Sequence, residues 1–375
     1  MTLTTVSPPT IHLAADLGSS ASKFFYRVHS GQSVPLWMGA EVVDGLSELS
    51  VPGLNSGGRP QDSAWIQLDS EIILVGDSAR AVLETTSLTA KKSATAAYKL
   101  VAALGAIAEL ENLPSHYDAS IWMVLPLTEI RTRQEIAEQL DAICSSGFGF
   151  RGKQQQVRLA MKFFPEGFGL YLRRKQQLER SGQSISQRRT MIVMMGHRNL
   201  STLYFERGTL QVAGSNSAGP GFWPVFEKSA RALGVTTPDY GALVRAIMTD
   251  QPQQISPSRG SLFDFGEMAA TVRCSYWQAV SIYLRDHVLK RFGQQSLDIV
   301  ISGGASHVLH QQLVEHFDSL GLSEQVIVAD GTQTQLPAVV GDMPEMALVP
   351  SLLLRMVDCY GLFQGLAGKL SKVTA

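Results

Sequence analysis

One local pattern occurs twice in this chain: an apolar strand runs into a glycine turn and returns as a second strand. In the first copy, residues 11–15 lead to Asp16, turn through Gly18 and return over residues 24–28. In the second, residues 191–195 turn at Gly196 and return over residues 201–206, with residues 209–212 closing a hairpin around Arg207-Gly208. Helical stretches follow in each half. A repeated unit of this kind points to two related α/β halves with loops at corresponding places.

The remaining elements fit that frame. Residues 65–68 and 72–75 alternate around Asp69-Ser70, which predicts a hairpin. Residues 94–111 predict a helix that is apolar on more than one face, with Ser93 as its N-cap. Residues 121–125 read as a buried strand stopped by Pro126. Ile136, Leu140 and Ile143 mark an amphipathic helix that Gly147 and Gly149 break. Residues 156–164 alternate and lead into Pro165-Glu166-Gly167. The stretch 173–189 carries six cations (Arg173, Arg174, Lys175, Arg180, Arg188, Arg189) and no apolar periodicity, so it reads as a connector, helical at its start. It has no interleaved aromatics for base stacking, and direct nucleic-acid binding is not expected. Residues 221–291 read as mainly helical, interrupted by a loop at 251–260. A strand at 297–301 and a helical region at 350–370 complete the chain.

Composition narrows the class. The chain has 375 residues, of which 45% are hydrophobic and 17% charged, enough to bury large cores. A formal net charge of −1 gives no global attraction to nucleic acid or to an anionic membrane. Cys144, Cys274 and Cys359 are scattered, which argues against a disulfide framework or a structural metal site and suits a reducing compartment. The first ten residues lack the basic and apolar regions of a signal peptide. The longest apolar run, 100–108, falls short of the roughly 20 residues that span a bilayer. The expectation is a soluble, cytoplasmic protein with no membrane partner.

Four segments could carry chemistry. In Asp16-Leu17-Gly18-Ser19-Ser20-Ala21-Ser22-Lys23, glycine and small serines let backbone N–H groups approach an anion. The hydroxyls of Ser19, Ser20 and Ser22 add donors and Lys23 a positive charge. Asp16 at the strand end could hold magnesium, directly or through water. The same letters also suit a plain hairpin turn, and they match neither the GxGxxG fingerprint nor the GxxxxGK[ST] loop. In Gly196-His197-Arg198-Asn199-Leu200-Ser201, Gly196 permits a tight turn, Asn199 and Ser201 offer hydrogen bonds and Arg198 a cationic fork. His197 and Arg198 also suit an ordinary surface turn. In Ser302-Gly303-Gly304-Ala305-Ser306 a glycine pair would let a flat base or ribose lie on the backbone. Glu166, just past a strand, could orient an attacking water.

In this order the segments resemble the actin, sugar-kinase and heat-shock-chaperone ATPase superfamily, and within it the ParM branch of plasmid-segregation actins. Asp16–Lys23 is similar to the first phosphate loop, residues around Gly196 to the second, and Ser302–Ala305 to the adenosine loop. Val124-Leu125-Pro126-Leu127, the hairpin before Gly76-Asp77-Ser78-Ala79, and Tyr360-Gly361 in a late helix look like that branch as well. The resemblance covers about residues 11 to 365.

It implies a two-domain actin-like ATPase fold, a duplicated ribonuclease-H-like α/β architecture with ATP or GTP and magnesium in the interdomain cleft. Domain I would be 1–172 completed by C-terminal helices at 346–375. Domain II would be 188–345 with a helical insertion at about 221–291, and 173–187 would be the basic connector. Glu166 and Asp16 would be the catalytic carboxylates, with Asp16 also on the metal. The implied activity is nucleotide-driven assembly of a homopolymeric cytoskeletal filament that segregates plasmid DNA or positions cargo, through a DNA-bound adaptor. One position departs from the pattern. The second phosphate loop usually begins with an aspartate where this chain has Met194, and a methionine cannot hold a magnesium-bound water. Loss of one preorganised group of this kind costs about 3–4 kcal/mol of barrier stabilisation, so slow hydrolysis is expected. A nucleotide-binding scaffold or regulator with weak or no turnover is the alternative. A small-molecule kinase would need an acceptor-positioning aspartate that the sequence does not reveal.

Overall fold

The structure, a computed structural model, describes residues 8–28, 31–47, 57–83, 92–291, 297–329, 335–349 and 351–373. Its contacts divide the chain into two compact units, Met1–Glu166 with Cys359–Ala375, and Gly167–Asp358.

The first unit is built on β1 (Thr10–Leu17), β2 (Ser22–Val28), β3 (Val34–Met38), β4 (Val42–Ser47), β5 (Trp65–Leu68), β6 (Glu71–Val75), β7 (His116–Leu125), β8 (Phe148–Phe150) and β9 (Lys153–Pro165). They form one sheet in the order β3-β2-β1-β7-β9-β8-β5-β6-β4. Successive side chains of a strand point to opposite faces, and both faces of β1 are buried. Ile11, Leu13, Ala15 and Leu17 join the core that also takes in Leu100, Val101 and Leu104 of helix Lys92–Leu110 and Ile136 and Leu140 of helix Arg133–Ser146. From the other face, the Cys359 thiol donates to the carbonyls of Ala14 and Lys23, and the Phe25 ring lies 5.0 Å from that of Tyr360. These contacts dock residues 359 onward of helix Leu352–Val373.

Helix Lys92–Leu110 is long and apolar enough to cross a bilayer by length and composition, but 67% of its Ser93–Leu110 stretch is buried within the fold, which marks it as a core helix. Ser93 lies inside this helix and is not its cap. Its backbone N–H donates to the Glu129 carboxylate at 3.2 Å, so an acid from elsewhere in the unit supplies the negative charge that a helix start favours.

In the second unit, β10 (Arg189–Met195), β11 (Asn199–Glu206), β12 (Thr209–Leu210) and β13 (Asn216–Pro220) come first. A separate hairpin of β14 (Gln253–Ser256) and β15 (Ser261–Asp264) follows, then β16 (Leu297–Ser302) and β17 (Val326–Val328). The main sheet runs β12-β11-β10-β16-β17, with β13 also on β11. In both units one strand pairs antiparallel with the next and parallel with a later one: β1 with β2 and β7, β10 with β11 and β16. The orders β3-β2-β1-β7-β9 and β12-β11-β10-β16-β17 therefore repeat one topology. Met191, Val193 and Met195 of β10 enter a core with helices Phe222–Ala232, Tyr240–Thr249 and Gly266–His287.

Residues 173–187, expected as a connector helical at its start, begin within helix Phe168–Arg180 and end in a short 3-10 turn, Ile185–Gln187. Tyr171 stacks on Phe205 of β11 at 3.8 Å. The buried Asp298 accepts from Arg174 Nη2 at 2.8 Å and Arg188 Nη1 at 2.7 Å, so these cations hold the segment to β16. The loop expected at 251–260 is instead the β14–β15 hairpin. Asp239 ties it down by accepting from Ser256 Oγ and from the Ser258 N–H and hydroxyl. Burial opposes the charge of Asp239, but these hydrogen bonds outweigh it and bring the carboxyl down to about 2.

Candidate functional site

Each unit gathers its expected residues at one end of its parallel strands, the end where open α/β sheets bind ligands. In the first unit Asp16 stands opposite Val124 of β7, which stands opposite Phe164 of β9. Glu166, two residues beyond Phe164, therefore shares a sheet edge with Asp16. Glu166 is buried, and its backbone N–H donates to Leu125 O at 2.8 Å. The turn from β1 to β2 closes with Gly18 N–H on Asp16 O, and a Cβ at Gly18 would lie 2.6 Å from Ala21 O. No side chain fits there. Lys23 Nζ donates to the fully buried Asp16 carboxylate in a charge-assisted pair. Ser19 and Ser20 are half-buried in the turn, and the buried Ser22 Oγ has no partner.

In the second unit Met194 is flanked by Ser201 on β11 and Ser302 on β16. The Gly196 turn and the Gly303-Gly304 turn thus lie at one sheet end. Gly303 adopts φ +107°, and a Cβ there would lie 2.3 Å from Met195 O. The two turns touch backbone to backbone, which only glycine allows. The Gly196 and His197 carbonyls accept from the N–H groups of Phe222 (3.2 Å) and Trp223 (2.8 Å), the first residues of helix Phe222–Ala232. Those helix-start donors are spent on fixing the turn. His197 stacks on Trp223 at 5.2 Å. Burial, and then the nearby Arg355 charge, push its imidazole down to about 4, so it is neutral at physiological pH.

Not every expected side chain is turned to ligand chemistry. Asn199 Nδ2 donates to Ser201 Oγ and to Ser217 O, so this pair ties β11 to β13. Ala305 belongs to the core, and Ser306 rather than Ala305 fixes the turn by donating to Gly303 O at 2.8 Å. Arg198 sits with its backbone against Gly221. Two further residues belong to no motif: Arg355, whose stem crosses Gly304, and Asp358, which accepts from Gly167 and Leu170 N–H. The available signal was two charges, Arg355 and Asp358, three apart in the otherwise apolar run 352–359.

The resemblance implies magnesium, which takes oxygen ligands in near-octahedral geometry. The expected donors do not fit a metal held by the protein. Asp16 is fully buried and already neutralised by Lys23, and Met194 offers only a thioether. Among the described residues, no three of His, Cys, Asp and Glu come together. Direct ligation by Asp16 is therefore not supported, and the expected role that stands is the one through magnesium-bound water. A cavity of about 340 Å³ in the first unit, lined by His116, Tyr117, Asp118 and Gln156 among others, lies at the opposite end of β7 and β9 and contains none of the expected residues.

No protein-family model and no curated protein matches the chain by sequence. Its structure, in contrast, is similar to several solved ones. The actin-like protein Alp7A matches with a TM-score of 0.68 at 13% identity, over 97% of this chain and 98% of its own. An archaeal actin homologue matches at 0.63 and 14% identity, over 96% and 99%. ParM in a 15-stranded filament from Clostridium botulinum matches at 0.62 and 14% identity, over 97% and 100%. Identities this low speak for the fold alone, and over nearly the full chain that fold is actin-like.

Proposed function

We propose that this chain is an actin-like nucleotide-binding protein that assembles with copies of itself into filaments in the cytoplasm. The observation that carries the reading is the repeated placement of glycine-dependent turns at the ends of the parallel strands in both sheets. Gly18 and Gly303 each occupy a position that a side chain would clash with. The fold adds support: one neighbour was solved as a 15-stranded filament, and an archaeal actin homologue in complex with ADP.

The residues suggest specific roles. The Gly18–Ser20 turn binds phosphate through its amides and hydroxyls, and Lys23 adds charge once drawn from Asp16. Gly303 and the Gly196 turn hold the nucleotide in the second unit. Glu166 orients a water. Met194 brings no carboxylate to the second turn, so turnover is slow. A cellular role in moving DNA or another cargo through an adaptor goes with this reading. The alternative, a nucleotide-binding regulator without turnover, is favoured by Met194 specifically.

The test is pelleting and negative-stain microscopy with ATP, GTP and non-hydrolysable analogues, with phosphate release followed in parallel. Ordered polymers that depend on nucleotide support the filament reading. Nucleotide uptake without polymers or phosphate release would transfer the case to the regulator.

A further inference from the structure

The open face of Gly304 is already covered. A Cβ built there would lie 2.7 Å from Arg355 Cγ, 3.1 Å from Cδ and 3.6 Å from Nε. The arginine stem therefore crosses the glycine backbone just past β16, where a bare backbone had been expected to receive a base. Its charge also reaches His197, on the turn after β10. Three buried polar atoms belong to the same segments and make no hydrogen bond: His197 Nε2, Ser302 Oγ and Ser351 Oγ, the last one helical turn before Arg355. Ser302 and Ser351 are 0% and 2% exposed. Buried polar atoms left unpaired are rare and call for a ligand or ordered water. Met194, beside Ser302 in the ladder, contributes no acid. Asp358, the next acid along the helix, is committed to the Gly167 and Leu170 amides. The guanidinium, the two hydroxyls and the neutral imidazole that these segments contribute suit an anion better than a metal cation.

We propose that Arg355, with Ser302, is a phosphate-binding position of the second unit that meets the charge of a nucleotide's phosphate chain without a protein-held magnesium ion. The planar fork of arginine matches phosphate oxygens two at a time, and it stays charged at every working pH. The proposal rests on the nucleotide-binding reading above.

The test is calorimetric titration with ATP in magnesium and in EDTA, for the wild type, Arg355→Met and Arg355→Lys. Methionine keeps a stem on Gly304 and removes the charge; lysine keeps the charge and removes the fork. Thermal melts of each variant establish that it folds. Wild-type affinity is expected to fall less than about tenfold in EDTA, since the protein supplies no metal ligand set. Arg355→Met should weaken binding about tenfold or more in both buffers, the loss of a charge-assisted hydrogen bond, with Arg355→Lys between. Binding abolished by EDTA in the wild type, or Arg355→Met binding as tightly as wild type, overturns the proposal while nucleotide binding stands. No uptake by the wild type in either buffer brings down the nucleotide reading and this proposal together.

Discussion

The Asp358 carboxylate accepts the Gly167 N–H at 2.8 Å with one oxygen and the Leu170 N–H at 3.1 Å with the other. A helix start leaves several N–H groups without intrahelical partners, and here a buried acid from the last helix takes two of them. Asp358→Ala should destabilise the chain by about 2–3 kcal/mol, since it removes a capping charge and strands two buried donors. Asp358→Asn, which keeps one acceptor, should cost less. Urea unfolding midpoints of the two variants check the order.

The clash positions make a second prediction. Gly303→Ala would bring its Cβ to 2.3 Å from Met195 O at a left-handed φ, and Gly18→Ala to 2.6 Å from Ala21 O. In both, backbone must move, at a cost of order 1–3 kcal/mol for strain of this kind. Nucleotide affinity should fall in both variants even when circular dichroism shows the fold retained. An unchanged affinity in Gly303→Ala would remove that turn from the site.

Asp298 serves two cations at once. Its side chain is 6% exposed, while Arg174 and Arg188 are 18% and 30% exposed, so solvent can partly absorb their charge if the acid is lost. Asp298→Ala should cost about 2–3 kcal/mol, at or below the range for breaking a buried pair. Reversing Arg180, at the exposed end of the same helix, should cost little. DNA affinity should be weak before and after, and a steep salt-dependent binding lost on Arg180→Glu would contradict the structural role of this stretch.

Acid should weaken the fold through His197. Its folded value of about 4 lies below the ordinary 6.5, so between these values the unfolded chain takes up a proton that the folded chain refuses. Stability therefore falls as pH drops from 6.5 towards 4, and the penalty is absent above 6.5. At about 1.4 kcal/mol per unit, it approaches about 3 kcal/mol at the acid end. Burial lowers His12 and His316 as well, with the same sign. His197→Gln should flatten its share of the slope, measured as unfolding free energy against pH.

The sequence is most legible where local chemistry and tertiary context agree. The β1 and β10 strands could be read because strands buried on both faces are continuously apolar, and their turns because glycine has few substitutes there. Short strands such as β3, β8 and β17 were missed, since three to five residues carry too little pattern. Only the start of the 173–187 stretch reads as helical, because charges dominate helix Phe168–Arg180, while Leu170, Tyr171 and Leu178 supply its buried side. The β14–β15 hairpin was hidden because a distant acid, Asp239, organises a polar loop. In the site, glycine positions were readable, but partners were not. Nothing local says that Asn199 spends its amide on Ser201 and on Ser217 of β13, or that Arg355 returns from far along the chain to lie on Gly304.

The most direct measurement is calorimetry of the purified chain with ATP and with GTP, in parallel with pelleting. Saturable uptake of at least one nucleotide, weakened in Gly18→Ala and in Gly303→Ala and accompanied by sedimenting polymers, is the expected result. No heat with either nucleotide at millimolar concentration, from a chain that is folded by circular dichroism, would contradict the proposed function.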